Sequence, residues 1–282
     1  CDQKTKAGAI IESFGHTVID VGFPRTKESE ESRHYWRESV KSFAVKLSKF
    51  QGKKLTRSNL ERAIKKVGYA QSLYHKLTEF RKNKAVPILG VDMFLVTNAF
   101  FFDKIDEWIS AVEKLVSELE QRAEDEVHVA GKASPRIVYT GSPPIFPNYK
   151  IPLIIEQSDA IIVADETCSS NRMFNDMVAV DEWNLYDMID SVSDKYLKAC
   201  TCPIFTQNDD RIRRIIQLVR SYSGDGVIYQ AFAGCQVYEM EQRSVLAAME
   251  REGIPILYIE SDYSPSLHGQ LTPRVDAFIE SL

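Results

Sequence analysis

The chain has 282 residues, is 44% hydrophobic and 27% charged, and carries five more acidic than basic residues. That composition supports one or two folded cores, and its acidic balance speaks against a nucleic-acid groove. Five cysteines at this length are too few for a disulfide-stapled secreted domain, and no apolar run approaches the ~20 residues that span a bilayer. With a polar, charged start in place of a secretory signal, the expected setting is the reducing cytoplasm.

In chain order, residues 1–25 read as the end of an N-terminal α/β domain. AGAIIESFG has a helical look, and HTVIDVGFP is a short β-rich run stopped by Pro24. The first residue is Cys, not Met, so the chain is expected to be incomplete at this end. Residues 26–134 read as a helical region. Trp36, Val40, Phe43 and Leu47 recur at helical spacing, and Gly52 ends that helix. Thr56 or Ser58 caps the next helix, whose apolar face runs through Leu60, Ile64, Val67, Leu73, Leu77 and Phe80. Residues 86–102 are apolar enough to be buried, and a further helix covers about 103–123.

From 135 to 282 the pattern becomes strand–turn–helix. RIVYTGS, DAIIVADE, DGVIYQAF and IPILYIESD are strands, and KIPLIIEQS, RRIIQLVRSYSG, EQRSVLAAMEREG and TPRVDAFIESL are helices. Apolar strands alternating with amphipathic helices predict an α/β fold: a Rossmann-like parallel sheet flanked by helices, with its strand-end loops on one edge.

Cys168, the pair Cys200 and Cys202, and Cys235 are read as following apolar runs at strand-to-helix turns, and Cys1 opens CDQKTK, which looks like another such turn. Buried cysteine is otherwise a small hydrophobe within a strand. Thiols gathered at one sheet edge would suit a soft metal, above all an iron–sulfur cluster. The Cys-x-Cys spacing is too tight for an ordinary zinc knuckle, and a Cys-x-x-Cys redox motif is absent. GSPPIFPNYKIP (141–152) is either an anion-binding turn or a turn stiffened by prolines; it has neither nucleotide-loop spacing. Asp262, Tyr263, Ser264, His268, Gln270 and Arg274 crowd the last strand-to-helix loop. Glu166 and Glu260, at strand ends, are candidate acid/base groups or caps, and Gln270 is a third catalytic candidate. His16, His34, His75 and His128 show no ligand spacing.

Taken in order, CDQKTK, FPRTKESEESRHYWRESVKSF, LTRSNLERAIKK, RIVYTGSPPIFPNYKI and GQLTPRVDAFIE resemble segments of the 2-hydroxyacyl-CoA dehydratase and benzoyl-CoA reductase superfamily. DETCSSNRMF, the CTC pair, AGCQVYEME and IESDYS are most similar to its double-cubane cluster branch. The resemblance implies an 8Fe–9S double cubane or a 4Fe–4S cluster, with Cys1, Cys168, Cys200 or Cys202, and Cys235 as ligands. It implies a low-potential reductase or 2-hydroxyacyl-CoA dehydratase component that receives electrons from a separate ATP-hydrolysing iron–sulfur activator. It also implies a homodimer or related heterodimer and an acyl-CoA or other small-molecule substrate. Gln236 stands where that branch has His, and Pro273 where the family has Thr. These departures motivate the alternative of a non-catalytic scaffold subunit that has lost its cluster. A metal-free nucleotide- or CoA-binding enzyme would rest on the GSPP turn alone.

Overall fold

Four apolar runs become β1 (Arg136–Gly141), β2 (Ile161–Glu166), β3 (Gly226–Phe232) and β4 (Ile256–Ser261) in the computed structural model. The structure describes residues 2–264 and 268–282. The strands form one parallel sheet in the order β2-β1-β3-β4, the α/β architecture the alternation predicts. β2 is an edge strand, yet all six of its residues are buried. Helices cover it, as a parallel sheet requires.

The chain divides into two compact units, residues 1–68 with 176–208, and residues 69–175 with 209–282. The second holds the sheet. Around it lie α4 (Gly90–Ala99), α5 (Ile105–Glu124), α6 (Lys150–Gln157), α7 (Asn171–Phe174), α9 (Asp209–Ser221), α10 (Gln236–Arg251) and α11 (His268–Glu280). One sheet face packs Val138, Val163 and Tyr229 against Ile215, Leu218 and Val245 of α9 and α10. The other packs Ile137, Tyr139 and Ile162 against Ile154, Ile155 and Val275 of α6 and α11. Each such aliphatic side chain contributes about 1.5–3 kcal/mol when fully buried.

A third apolar cluster gathers Tyr74, Leu77, Met93, Trp108 and Phe174. The N-cap of α4, Leu89, has no side-chain acceptor. Glu156 of α6 supplies one instead, accepting from the backbone N–H of Gly90 at 2.6 Å and of Val91 at 3.0 Å. Gly90 also permits close approach, because a Cβ there would lie 2.4 Å from that of Ile162.

The first unit is helical: α1 (Asp2–Ser13), α2 (Glu30–Gln51), the start of α3 (Arg57–Phe80) and α8 (Leu185–Lys198). Ser29 caps α2 by accepting from the Ser32 N–H, and Gly52 closes it at φ 64°. Thr56 accepts from the Asn59 N–H at the start of α3. The small core is Trp36, Leu197 and Phe205, with Phe23, Val40, Cys200, Cys202 and Ile204 packed on it.

Residues 16–24, expected as a strand, form none. A β-rich run needs a ladder partner, and here Phe23 instead sets its ring 4.7 Å from Trp36 and 5.4 Å from Phe205. The sequence reading also passed over α8. Its signal was Asn184, which accepts from the N–H groups of Tyr186 and Asp187, followed by apolar residues at 185, 188, 189, 192 and 197. Among the described residues, no helix is long and apolar enough to cross a membrane.

Candidate functional site

In an open parallel sheet the ligand crevice lies beyond the carboxyl ends of the strands, where the strand order reverses. Here the connection from β1 runs to β2 on one side, while β3 pairs with the other side of β1. The reversal therefore falls between the end of β1, Gly141, and the end of β3, Phe232. Gly141 pairs with Gln230 at φ 105°, and a Cβ on it would sit 1.9 Å from the Gln230 carbonyl oxygen. Only glycine lets the backbone turn there. The Ser142 N–H donates to the Gln230 carbonyl at 2.7 Å, and the Ser142 hydroxyl accepts from the Phe232 N–H at 3.0 Å. Beneath this edge the Tyr139 hydroxyl donates to Gln230 Oε1, and Gln230 Nε2 donates to Ser261 Oγ at 2.7 Å. That chain of buried polar groups spans three strands and fixes their ends relative to one another.

Glu166, at the end of β2, is 2% exposed. Arg172 grips it with Nε and Nη2, both at 2.7 Å. Arg211 of α9, fully buried, pairs with Glu166 as well. Arg211 also reaches Glu241 at 2.8 Å and donates to Thr140 Oγ1 at 3.0 Å. The Tyr229 hydroxyl donates to Glu241 at 2.8 Å, and the Arg211 guanidinium lies 5.7 Å from the Tyr238 ring centroid. Two carboxylates pair with two guanidiniums in this buried cluster, as buried charges must. Glu166 therefore presents both its oxygens to arginines.

The preceding residue organises the turn after β2. Burial pushes the Asp165 carboxyl above the usual aspartate range, and the Arg81 charge and the Thr167, Asn171 and Ser170 donors pull it back. Asp165 accepts from the Thr167 hydroxyl at 2.9 Å and from the Ser170 hydroxyl at 3.0 Å. Ser169 donates to the Pro144 carbonyl at 3.2 Å. These bonds fold residues 167–171 into a fixed loop on which Cys168 is exposed.

Cys235 occupies the N-cap position of α10 after β3, partly buried and packed on the sheet core. Cys168 and Cys235 thus stand where the sequence places them, on the carboxyl edge of one sheet. Cys200 and Cys202 do not follow a strand. They follow α8, in the loop that packs on Trp36 and Phe205, and Lys27 Nζ donates to the Cys200 carbonyl at 2.7 Å. The correction has a simple cause: the residues before them, SVSDKYLKA, are helical at the spacing that buries Ser193 and Leu197. Cys1 lies outside the described residues. Among the described residues, no three His, Cys, Asp or Glu side chains group as a metal site.

Glu260 is exposed at the end of β4, and Gln270 is exposed near the start of α11. The GSPP turn is held from within, because Asn98 Nδ2 donates to the Pro144 carbonyl at 3.4 Å and Asn98 Oδ1 accepts from the Phe146 N–H at 3.0 Å. Lys150, at the start of α6, reaches Asp262 at 3.3 Å and the Ser264 carbonyl at 2.6 Å. It joins the turn after β1 to the turn after β4. Tyr263 stacks on Phe232 with ring centroids 4.9 Å apart. Pro273 lies inside α11. Arg211 escaped the sequence reading because its partners lie 30 to 71 residues away, whereas Arg172 and Asp165 bond within six residues in a turn that has no standard motif.

Residues 1–282 match the family described as 2-hydroxyglutaryl-CoA dehydratase, D-component. A putative dehydratase subunit, YjiM, of Escherichia coli (strain K12) is 26% identical over 285 residues, covering all of this chain and 72% of that protein. The (R)-phenyllactyl-CoA dehydratase beta subunit of Clostridium sporogenes is 22% identical over 288 residues, covering all of this chain and 73% of that protein.

Proposed function

The chain belongs to the 2-hydroxyglutaryl-CoA dehydratase D-component family, and from that premise we propose that it is the iron–sulfur component of an ATP-dependent 2-hydroxyacyl-CoA dehydratase or low-potential reductase system. The observation that carries the reading is the placement of two thiols, Cys168 and Cys235, on the carboxyl edge of the same parallel sheet. Thiolates at that edge suit ferric and mixed-valence iron, whose potential is set by burial and hydrogen bonding. The donor chemistry fits a cluster, with these two residues as part of its ligand set. Ligation by Cys1, Cys200 or Cys202 rests on the resemblance alone.

Bound there, a cluster would supply one-electron chemistry. The chain's own residues would do the rest. The Asp165 loop holds Cys168 in place, and the first turn of α10 holds Cys235. The Glu166–Arg172–Arg211–Glu241 cluster keeps the strand end rigid beneath them. In this reading the electron comes from a separate ATP-hydrolysing activator protein, a dimeric partner arrangement completes the assembly, the substrate is a 2-hydroxyacyl-CoA, and the setting is the cytoplasm.

Anaerobic purification followed by iron and sulfide analysis tests the proposal, with electron paramagnetic resonance of the reduced protein separating a 4Fe–4S centre from a double cubane. The expected result is a brown protein whose iron disappears in Cys168→Ser with Cys235→Ser. A colourless protein with no iron after reconstitution would point to a scaffold that has lost its cluster.

A further inference from the structure

The helical unit contains an apolar cavity of about 350 Å³. Phe43 and Leu47 of α2, Leu60 of α3, and Ile189 and Val192 of α8 form its walls. Lys53 and Lys54, in the loop between α2 and α3, also line it and are exposed. Small-molecule sites typically measure about 300–1,000 Å³ and combine an apolar lining with a few placed polar groups.

The charge on the α2–α3 side of this cavity is one-sided, while the α8 side carries Asp187, Asp190 and Asp194. Residues 39–60 contain Lys41, Lys46, Lys49, Lys53, Lys54 and Arg57 and not one Asp or Glu, in a chain whose net charge is −5. At the start of that stretch Lys41 is neutralised by Glu38 at 3.2 Å and Asp190 at 3.8 Å, and just beyond its end Glu61 is taken up by Lys65 at 2.6 Å. Within it, Lys46, Lys49, Lys53 and Lys54 make no ion pair among the described residues. The first turn of α3 beside the cavity carries no acidic residue, so the positive end of that helix adds to the same field.

An apolar hollow with Lys53 and Lys54 in its lining is complementary to a molecule with an apolar body and an anionic head. A docked helix would need a continuous strip of anchors, whereas a single hollow of about 350 Å³ takes one compact apolar group. We propose that this cavity binds a free amphiphilic anion of the medium-chain carboxylate class, with its chain against Phe43, Leu60 and Ile189 and its carboxylate at Lys53 and Lys54.

Calorimetric titration of the full chain with sodium decanoate, below its micellar concentration, tests this. The expected result is one saturable site per chain, weakened by added salt, with 1-decanol binding less tightly. Lys53→Glu with Lys54→Glu, both exposed and so compatible with the fold, weakens decanoate about tenfold. Ala44→Trp, which fills the hollow, abolishes binding while the melting temperature holds. Absence of saturable binding overturns the proposal. So does decanoate binding that survives both variants, equal affinity for 1-decanol, or binding seen only with anionic phospholipid vesicles, which would make the patch a membrane surface.

Discussion

The two cysteine neighbourhoods differ in what holds them. Cys168 and Cys235 follow strand ends, where parallel pairing with β1 fixes the backbone beneath them. Cys200 and Cys202 sit in a loop after a helix and pack as small apolar groups on a core of three buried side chains, Trp36, Leu197 and Phe205. A sheet edge presents a side chain to a ligand; a helical loop folded onto an aromatic cluster uses it for packing. Under the proposed function, the two pairs are therefore expected to differ in what they contribute to a cluster.

The sharpest way to break this contrast is iron retention. Cys168→Ser with Cys235→Ser should remove nearly all bound iron, while Cys200→Ser with Cys202→Ser should retain more of it. Equal losses measured by iron and sulfide analysis would erase the distinction.

Next in size are the two braces. Arg211→Met leaves Glu166 and Glu241 buried with one cation fewer, and should cost about 3–5 kcal/mol in urea unfolding. Trp36→Ala should cost a similar 3–5 kcal/mol, with proteolysis appearing first in residues 176–208. Cleavage within the sheet unit instead would show that the helical core does not stand by itself.

Gly141→Ala probes the strand reversal directly. Its Cβ would meet the Gln230 carbonyl oxygen at a φ that L-residues rarely adopt, so a loss of about 2–3 kcal/mol is expected. A melting temperature within a degree of the parent would show that the turn relaxes freely.

The smallest effect concerns Glu156. Burial raises its carboxyl above the ordinary glutamate range, opposed by the N–H donors of Val91, Gly90 and Ile162 and by Arg81. The folded state then holds this proton more tightly than the unfolded state. Stability from this group therefore falls as pH rises from the unfolded to the folded value, and is flat above it. Glu156→Gln should flatten that slope in a pH series of unfolding curves; an unchanged slope would assign it to Asp165, whose carboxyl is raised by the same cause.

Much of the fold was legible because its signals are local. Apolar runs of strand length, separated by amphipathic helices and glycine turns, placed all four strands of the sheet and the helices α6, α9, α10 and α11 that alternate with them. The same reasoning failed at residues 16–24, where β-rich composition found no ladder, and at residues 185–198, where the Asn184 cap and its apolar spacing were overlooked. The ordered motifs were enough for the family, which the match over residues 1–282 bears out.

What the sequence determined by itself was the α/β alternation, the family and the strand-end positions of Cys168 and Cys235, all written in runs of neighbouring residues. Only the tertiary structure decided the strand order, and with it the reversal at Gly141. It alone turned Glu166 from a candidate acid/base into the centre of a two-arginine cluster, and sent Cys200 and Cys202 to a helical loop. The reason is physical: a buried charge must find its partners wherever the fold brings them, and Glu166 meets an arginine 45 residues away by a contact that no local pattern records.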